Sequence, residues 1–186
     1  MIILASGSPR RKELMKLITD DFKIVVSDAD EDVEENMSPT ELTMLLSKRK
    51  ADAVKSLVSK EDVVISADTV VSVDGKILGK PIDKQDAFNT LKNLSGKTHN
   101  VITGVTVSKG ENYETFSVTT DVLFYELTDD EINLYLEKDE YKDKAGSYGI
   151  QGFGGLFVEK ITGDYNNVVG LPVAELYRKM TNKKWL

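Results

Sequence analysis

The 186-residue sequence contains no cysteine, one histidine and one tryptophan. The absence of cysteine excludes a disulfide framework, a thiol nucleophile and a zinc site built on cysteines. A Ser-His-Asp triad could use only His99 as its base, and a single histidine near a strand start is expected to have a structural role. Metal chemistry would therefore rest mainly on carboxylates, which favours a hard cation such as magnesium or manganese.

Long hydrophobic stretches are also missing. The apolar run at residues 2–5 is too short for the hydrophobic region of a signal peptide, and no basic segment precedes it. No stretch approaches the length that spans a membrane. These absences predict a cytoplasmic protein with no membrane partner.

Basic residues are outnumbered, with 24 Lys and Arg against 31 Asp and Glu and a formal net charge of −7. An acidic surface repels the phosphate backbone, so we expect no nucleic-acid partner. Hydrophobic residues make up 40% of the chain and charged residues 30%, which is typical of a globular protein. The length suits one domain over residues 1–186, with or without a division into two lobes.

Apolar periodicity and turn residues predict a mixed α/β chain. Helices are predicted where a proline or a capping residue precedes an apolar stripe, at 9–18, 39–57, 83–94, 128–136 and 172–180. Strands are predicted at 2–5, 22–26, 63–67, 70–73, 101–107, 113–124 and 156–161. A hairpin turn is predicted at Asp74-Gly75. The strands are too varied in length and spacing for a simple doubly wound sheet.

The loop from Ser6 to Arg11 combines serine hydroxyls, a helix start at Pro9 and two of the four arginines in the chain. Free amides at a helix start and planar guanidinium groups both suit phosphate oxygens. A capped surface helix with solvated arginines explains the same residues, so both interpretations stay open. The loop lacks the Gly-Lys-Ser/Thr ending of a Walker loop.

The polar pair Asp68-Thr69 separates two apolar runs. We expect it at the end of a buried strand, where sites collect in α/β sheets. Asp68 could ligate a metal or accept a proton from water. The alternative is a strand-edge residue that satisfies a turn.

Four further segments carry suitable side chains but are ambiguous. Lys80 follows a glycine and precedes a proline, a pattern that also suits a solvated turn. The acidic run 28–35 and the basic run 48–50 could each contain a site residue or face water. The glycine-rich segment 143–152 contains Gln151, whose amide can read the edge of a nucleobase, but it could equally be a flexible loop.

Taken in order, these motifs resemble the Maf family of nucleoside triphosphate pyrophosphatases. The similar segments are 4–11, 67–71, 78–81, 94–105, 143–152 and 163–172. The resemblance implies an α/β fold like that of the inosine triphosphate pyrophosphatases, with a long curved mixed sheet flanked by helices. It also implies two lobes around a central cleft, often in a homodimer.

The resemblance implies a nucleotide diphosphatase that cleaves between the α and β phosphates with the help of a divalent cation, magnesium or manganese. Asp68 matches the family's proton acceptor, and Glu31, Lys50 and Lys80 match other polar site positions. Asp68 and Glu31 are the expected metal ligands. Two alternatives stay open: removal of modified nucleotides, and a nucleotide-binding regulator of septum formation and cell-division arrest with slow turnover.

Three positions separate the family branch that prefers dTTP and UTP from the branch that prefers 7-methyl-GTP. Here they are Arg10, Thr69 and Gln151, a combination that is similar to the dTTP/UTP branch. The other residues expected to contact the substrate are Ser6, Ser8 and Arg11.

Overall fold

The computed structural model describes residues 1–32 and 37–186. The chain divides into two compact units. The first unit comprises Met1–Thr69, Thr103–Val118 and Gly170–Leu186, and the second unit comprises Val70–Ile102 and Thr119–Val169. The central cleft implied by the family resemblance stays a prediction.

Seven strands among the described residues form one mixed sheet, in the order β2-β1-β3-β5-β6-β7 with β4 also paired to β3. Their bounds are β1 (Ile2–Leu4), β2 (Phe22–Ile24), β3 (Val63–Val73), β4 (Lys76–Leu78), β5 (Thr98–Lys109), β6 (Asn112–Phe124) and β7 (Val158–Thr162). Strand β1 runs parallel to β2 and β3, whereas β4 is antiparallel to β3 and β7 to β6. The predicted mixed α/β class is confirmed.

Each helix predicted from the sequence begins at the predicted proline or capping residue, or one residue after it. The bounds of the helices are α1 (Pro9–Met15), α2 (Pro39–Lys55), α3 (Lys84–Leu94), α4 (Asp129–Leu136), α5 (Tyr165–Val169) and α6 (Val173–Lys183). Ser38 and Thr128 form capping boxes, and Asp83 caps α3 through its side chain. The short helix α5 was not predicted, because five residues are too few to show an apolar period. No helix in the described part of the chain is long and apolar enough to cross a membrane.

The prediction of a strand break at Asp68-Thr69 is wrong. Strand β3 continues from Val63 to Val73 and is buried at every residue except the half-buried Thr69. The polar pair stays within the strand because Asp68 pairs with Lys50 and the Thr69 hydroxyl is 2.8 Å from that of Thr103. A buried polar group that finds partners need not end a strand.

Helix α2 lies close against the first unit's strands. A Cβ atom added to Gly104 in β5 would overlap the backbone of Thr43 in α2, so only glycine allows this approach. Below that contact, the Ser47 hydroxyl is 2.9 Å from the Thr106 hydroxyl, and Ser66 donates to the Ser47 carbonyl at 2.6 Å. Buried hydroxyl contacts therefore join helix α2 to these strands, beside its apolar contacts.

The core of the second unit contains a group of packed aromatic rings. Phe124 makes edge contacts with His99 and Tyr148, each with ring centroids 4.8 Å apart. His99 is fully buried, and its Nε2 lies 2.8 Å from the Tyr148 hydroxyl. The structure places the lone histidine in the core, in the structural role expected of it.

Candidate active site

A buried carboxylate and a lysine form the centre of the candidate site in the first unit. The Lys50 Nζ atom of α2 is 2.6 Å from Asp68 Oδ1 in β3 and 2.8 Å from Glu31 Oε1. The side chains of Asp68 and Lys50 are 12% and 15% exposed, whereas Glu31 is 58% exposed. The structure thus brings together three of the four predicted catalytic residues, although they come from three separate segments.

The segment that carries Glu31 is attached to α2 through its backbone. The Arg49 guanidinium donates to the carbonyl of Asp32 at 2.5 Å and to that of Asp30 at 3.4 Å. Since Arg49 and Lys50 are neighbours in α2, one helical turn holds both the backbone and the carboxylate of this segment.

Arg11 links the N-terminal loop to two other parts of the first unit. Its Nε donates to the Gly170 carbonyl at 2.8 Å, and its Nη2 donates to the Thr69 hydroxyl at 3.0 Å. Its Nη1 is 3.4 Å from the Ser6 hydroxyl. Burial lowers the pKa of the Arg11 guanidinium, and the carboxylate of Asp68 acts in the opposite direction. The guanidinium remains charged because its unperturbed pKa is so high.

The two serines of the N-terminal loop accept hydrogen bonds from the loop itself. The Ser6 hydroxyl accepts from the Ser8 amide at 3.3 Å, and the Ser8 hydroxyl caps α1 by accepting from the Arg11 amide. A hydroxyl has one proton and two lone pairs. Each serine can therefore still donate its proton to a bound anion.

A cavity of about 130 Å³ opens beside these groups. Its lining consists of Ala5, Ser6, Gly7, Arg11, Val26, Ser27, Glu31 and Lys50. The positive charge of Arg10 also lowers the pKa of Arg11, so the two guanidinium groups interact electrostatically. Among the lining residues the two cations, Arg11 and Lys50, outnumber the one carboxylate, that of Glu31, so the wall of this cavity suits an anion although the whole chain is acidic.

The donor set suits a hard divalent cation. Asp68 and Glu31 each place a carboxylate oxygen within 3 Å of the same nitrogen, so the two carboxylates converge on one point. Oxygen ligands of this kind fit magnesium or manganese. Asp68 and Glu31 would supply two ligands to such an ion, and water or substrate phosphates would supply the others.

Two predicted site residues belong to the second unit. Lys80 is exposed after β4, and Gln151 is exposed in the glycine-rich segment between two short 3₁₀ helices, Ala145–Ser147 and Phe153–Phe157. Arg10 is half-buried in the first unit. Glu34 and Glu35 of the acidic run lie outside the described residues. The roles given to these residues stay predictions.

Sequence reasoning missed three residues that support the site. Arg49 lies in the ambiguous basic run, Thr103 in the predicted strand 101–107, and Gly170 in one of the segments that are similar to the family. Thr103 is a fully buried threonine in a strand of alternating polarity, which is a weak signal. Gly170 contributes a backbone carbonyl, and sequence carries no signal for that.

Two solved structures are similar to parts of this chain. The Ham1 protein of Staphylococcus aureus covers 67% of this chain and 72% of its own, with 21% identity and a TM-score of 0.48. A nucleoside-triphosphatase, dITP/XTP pyrophosphatase, of Mycobacterium abscessus covers 68% of this chain and 75% of its own, with 11% identity and a TM-score of 0.41.

Sequence relatives match over nearly the whole chain. A dTTP/UTP pyrophosphatase of Bacillus pumilus is 52% identical over 95% of this chain and 93% of its own length. A dTTP/UTP pyrophosphatase of Carboxydothermus hydrogenoformans is 50% identical over 99% of this chain and 98% of its own. The family described as Maf-like protein matches residues 1–183. The family resemblance of the motifs is therefore confirmed, and the chain belongs to the Maf family.

Proposed function

We propose that this chain hydrolyses dTTP and UTP to the nucleoside monophosphate and pyrophosphate, by attack of water at the α phosphate. The observation that carries the proposal is the buried Asp68–Lys50 pair beside Arg11. A carboxylate surrounded by cations can act on water while the cations bind phosphate. Relatives that are 50–52% identical over at least 95% of this chain carry the same activity in their names.

Each side chain has a distinct task in this reaction. Asp68 orients the attacking water and accepts its proton. Arg11 and Lys50 offset the negative charge that grows on the leaving pyrophosphate. The hydroxyls of Ser6 and Ser8 donate to phosphate oxygens, and the predicted role of Lys80 is a further phosphate contact.

A divalent cation completes the proposed chemistry. Bound magnesium or manganese supplies Lewis-acid polarisation of the phosphoryl oxygens. Asp68 and Glu31 are the residues that would hold it. Both carboxylates contact the Lys50 Nζ atom, so an oxygen of each lies within reach of one point.

Base recognition is proposed for Arg10, Thr69 and Gln151. The Thr69 hydroxyl accepts from Arg11, which can only donate, so the proton of Thr69 is left for Thr103 or for an acceptor on the ligand. Uracil and thymine present carbonyl oxygens as acceptors. A Gln151 amide offers both a donor and an acceptor to the base edge.

The test is pyrophosphate release by the purified chain from a panel of nucleoside triphosphates, with and without added manganese. The panel includes dTTP, UTP, CTP, 7-methyl-GTP, 5-methyl-UTP and pseudo-UTP. We expect metal-dependent release with dTTP and UTP preferred among the standard nucleotides. Absence of pyrophosphate from every substrate would reject the proposal, and preference for the modified nucleotides would favour the removal of modified nucleotides.

A second experiment tests the base contact. Gln151→Glu replaces the donor on the amide with a charged acceptor, so kcat/KM for dTTP and UTP should fall more than that for the poorer substrates. An unchanged substrate ranking would remove Gln151 from base recognition.

Location and assembly belong to the same proposal. We infer a cytoplasmic enzyme that works as a homodimer, and it is the homodimer that the family resemblance implies. Sedimentation equilibrium of the purified chain tests the dimer, and a monomer at micromolar concentration would contradict it. Cell fractionation tests the location.

A further inference from the structure

Lys50 lies at the meeting point of the two carboxylates that would hold the divalent cation. Its Nζ atom contacts Asp68 Oδ1 at 2.6 Å and Glu31 Oε1 at 2.8 Å. The Lys50 and Asp68 side chains are mostly buried, so solvent ions screen their contact little. The ammonium of Lys50 thus takes the place that the proposed function gives to a metal.

An ammonium and a metal ion cannot share this point. Magnesium binds oxygen at about 2.0–2.1 Å, closer than an ammonium does, and both groups are positively charged. Lys50 also belongs to the chain, so its binding to the carboxylates loses no translational freedom, whereas a free ion is diluted in solvent. Without substrate, the carboxylates therefore favour Lys50.

The rest of the described chain offers a metal ion little support. Within residues 1–32 and 37–186, no group of three or more His, Cys, Asp or Glu side chains could hold a metal ion. Magnesium sites of this kind commonly combine one or two carboxylates with phosphate oxygens of the substrate. A triphosphate would supply those oxygens, and it would also offer the Lys50 ammonium a new anionic partner.

We propose that Lys50 excludes the divalent cation from Glu31 and Asp68 until a nucleotide binds, and that its ammonium then moves onto the triphosphate. Lys50 is in this way the residue that couples metal binding to nucleotide binding. The inference rests on the proposed function, since it takes these carboxylates as the metal ligands. Because the coupling is a binding free energy, nucleotide and metal raise each other's affinity by the same factor.

The experiment measures Mn²⁺ binding directly, by electron paramagnetic resonance of the free ion. Titrations are run with and without a dTTP analogue whose bridging oxygen between the α and β phosphates is replaced by methylene. The variants are Lys50→Met and Lys48→Met. Lys48 is a matched control, since it lies in α2, pairs with Asp52 at 3.1 Å and is exposed.

Without nucleotide, we expect Lys50→Met to bind Mn²⁺ at least tenfold more tightly than the wild type. The gain in Mn²⁺ affinity that the analogue causes should shrink in the same variant. Lys48→Met should match the wild type in both titrations, which separates the loss of one particular ammonium from the loss of one positive charge on the helix.

Equal Mn²⁺ affinity in the wild type and Lys50→Met without nucleotide would overturn the inference. An equal gain in Lys48→Met would overturn it as well. Lys50→Gln, which keeps a hydrogen-bond donor, carries the test if thermal unfolding shows that Lys50→Met is misfolded. Because the titration needs no turnover, a wild type that releases no pyrophosphate would reject the proposed function, while the competition between lysine and metal would still be measured.

Discussion

Both compact units bury an apolar cluster, but the other side chains that they bury differ. In the second unit, the rings of Phe124, His99 and Tyr148 pack edge to face among aliphatic residues. In the first unit, helix α2 meets the strands through the Ser47 and Thr106 hydroxyls, and the same helix carries Lys50 to Asp68. Hydrophobic burial is non-directional, whereas hydrogen bonds and ion pairs need defined distances and angles.

Because of this difference, we expect the residues that contribute most to stability to differ from those that act in the proposed reaction. The aromatic core stabilises the fold through the apolar area that it removes from water. The polar face of the first unit stabilises less for the same volume, because every buried polar group must find a partner, but it fixes the positions of the groups that we propose for catalysis. We therefore expect substitutions in the aromatic core of the second unit to lower mainly the free energy of unfolding. Substitutions in the polar face of the first unit should lower mainly turnover.

The largest effect is expected for Asp68→Asn. Loss of the proton acceptor should lower kcat by about 10²–10⁴-fold. The free energy of unfolding should fall by about 1–3 kcal/mol, because the amide oxygen still accepts from Lys50 but no longer balances its charge. Pyrophosphate release and thermal unfolding measure the two quantities. Near-wild-type turnover would remove Asp68 from catalysis.

Phe124→Ala tests the aromatic core of the second unit. Phe124 is 1% exposed among other rings, and truncation of a buried phenylalanine costs about 3–5 kcal/mol. Turnover per folded molecule, measured well below the melting temperature, should change by less than tenfold. A loss of turnover as large as that of Asp68→Asn would show that stability and chemistry are not divided between the units.

Gly104→Ala combines both effects. The added methyl group would overlap the backbone of Thr43, and we expect a loss of about 2–3 kcal/mol. Turnover should fall too, since the displaced helix carries Lys50. The matched control is Gly79→Ala, because a Cβ at Gly79 meets no atom within 4 Å. Equal melting temperatures for the two variants would contradict the close approach of α2.

The smallest effect is a pH dependence from His99. Burial lowers the pKa of His99 from 6.5 to about 4. Below pH 6.5, His99 therefore binds a proton in the unfolded chain but not in the folded chain. The contribution of His99 to the free energy of unfolding is thus fully present above pH 6.5 and falls as the pH drops towards 4. Between pH 7 and 5 the loss is about 2 kcal/mol.

His99→Gln should lose less stability over the same pH range, because its amide does not titrate. Denaturant unfolding of both proteins at pH 7 and pH 5 measures the difference. Identical pH dependence would mean that His99 is protonated in the folded protein.

Local chemistry explains why the helices could be predicted. A capping box acts within four residues, so Ser38 and Thr128 predict the starts of α2 and α4 from the sequence alone. Strand β3 was divided wrongly at Asp68 because a local pattern cannot show that a buried carboxylate will find Lys50, which lies 18 residues away in the chain. For the same reason no local pattern indicates Gly170, whose carbonyl accepts from Arg11 although the two are 159 residues apart in the sequence.

Composition and motif order alone indicated the family and limited the side chains available for chemistry. With no cysteine and one histidine, carboxylates, lysines and arginines were the groups left, and the ordered motifs indicated the Maf family. Only the tertiary structure decided that one ammonium joins Glu31 and Asp68, and that Arg11 binds Thr69 instead of facing water. Ion pairs and hydrogen bonds act over a few ångströms, and only the folded chain brings distant residues that close.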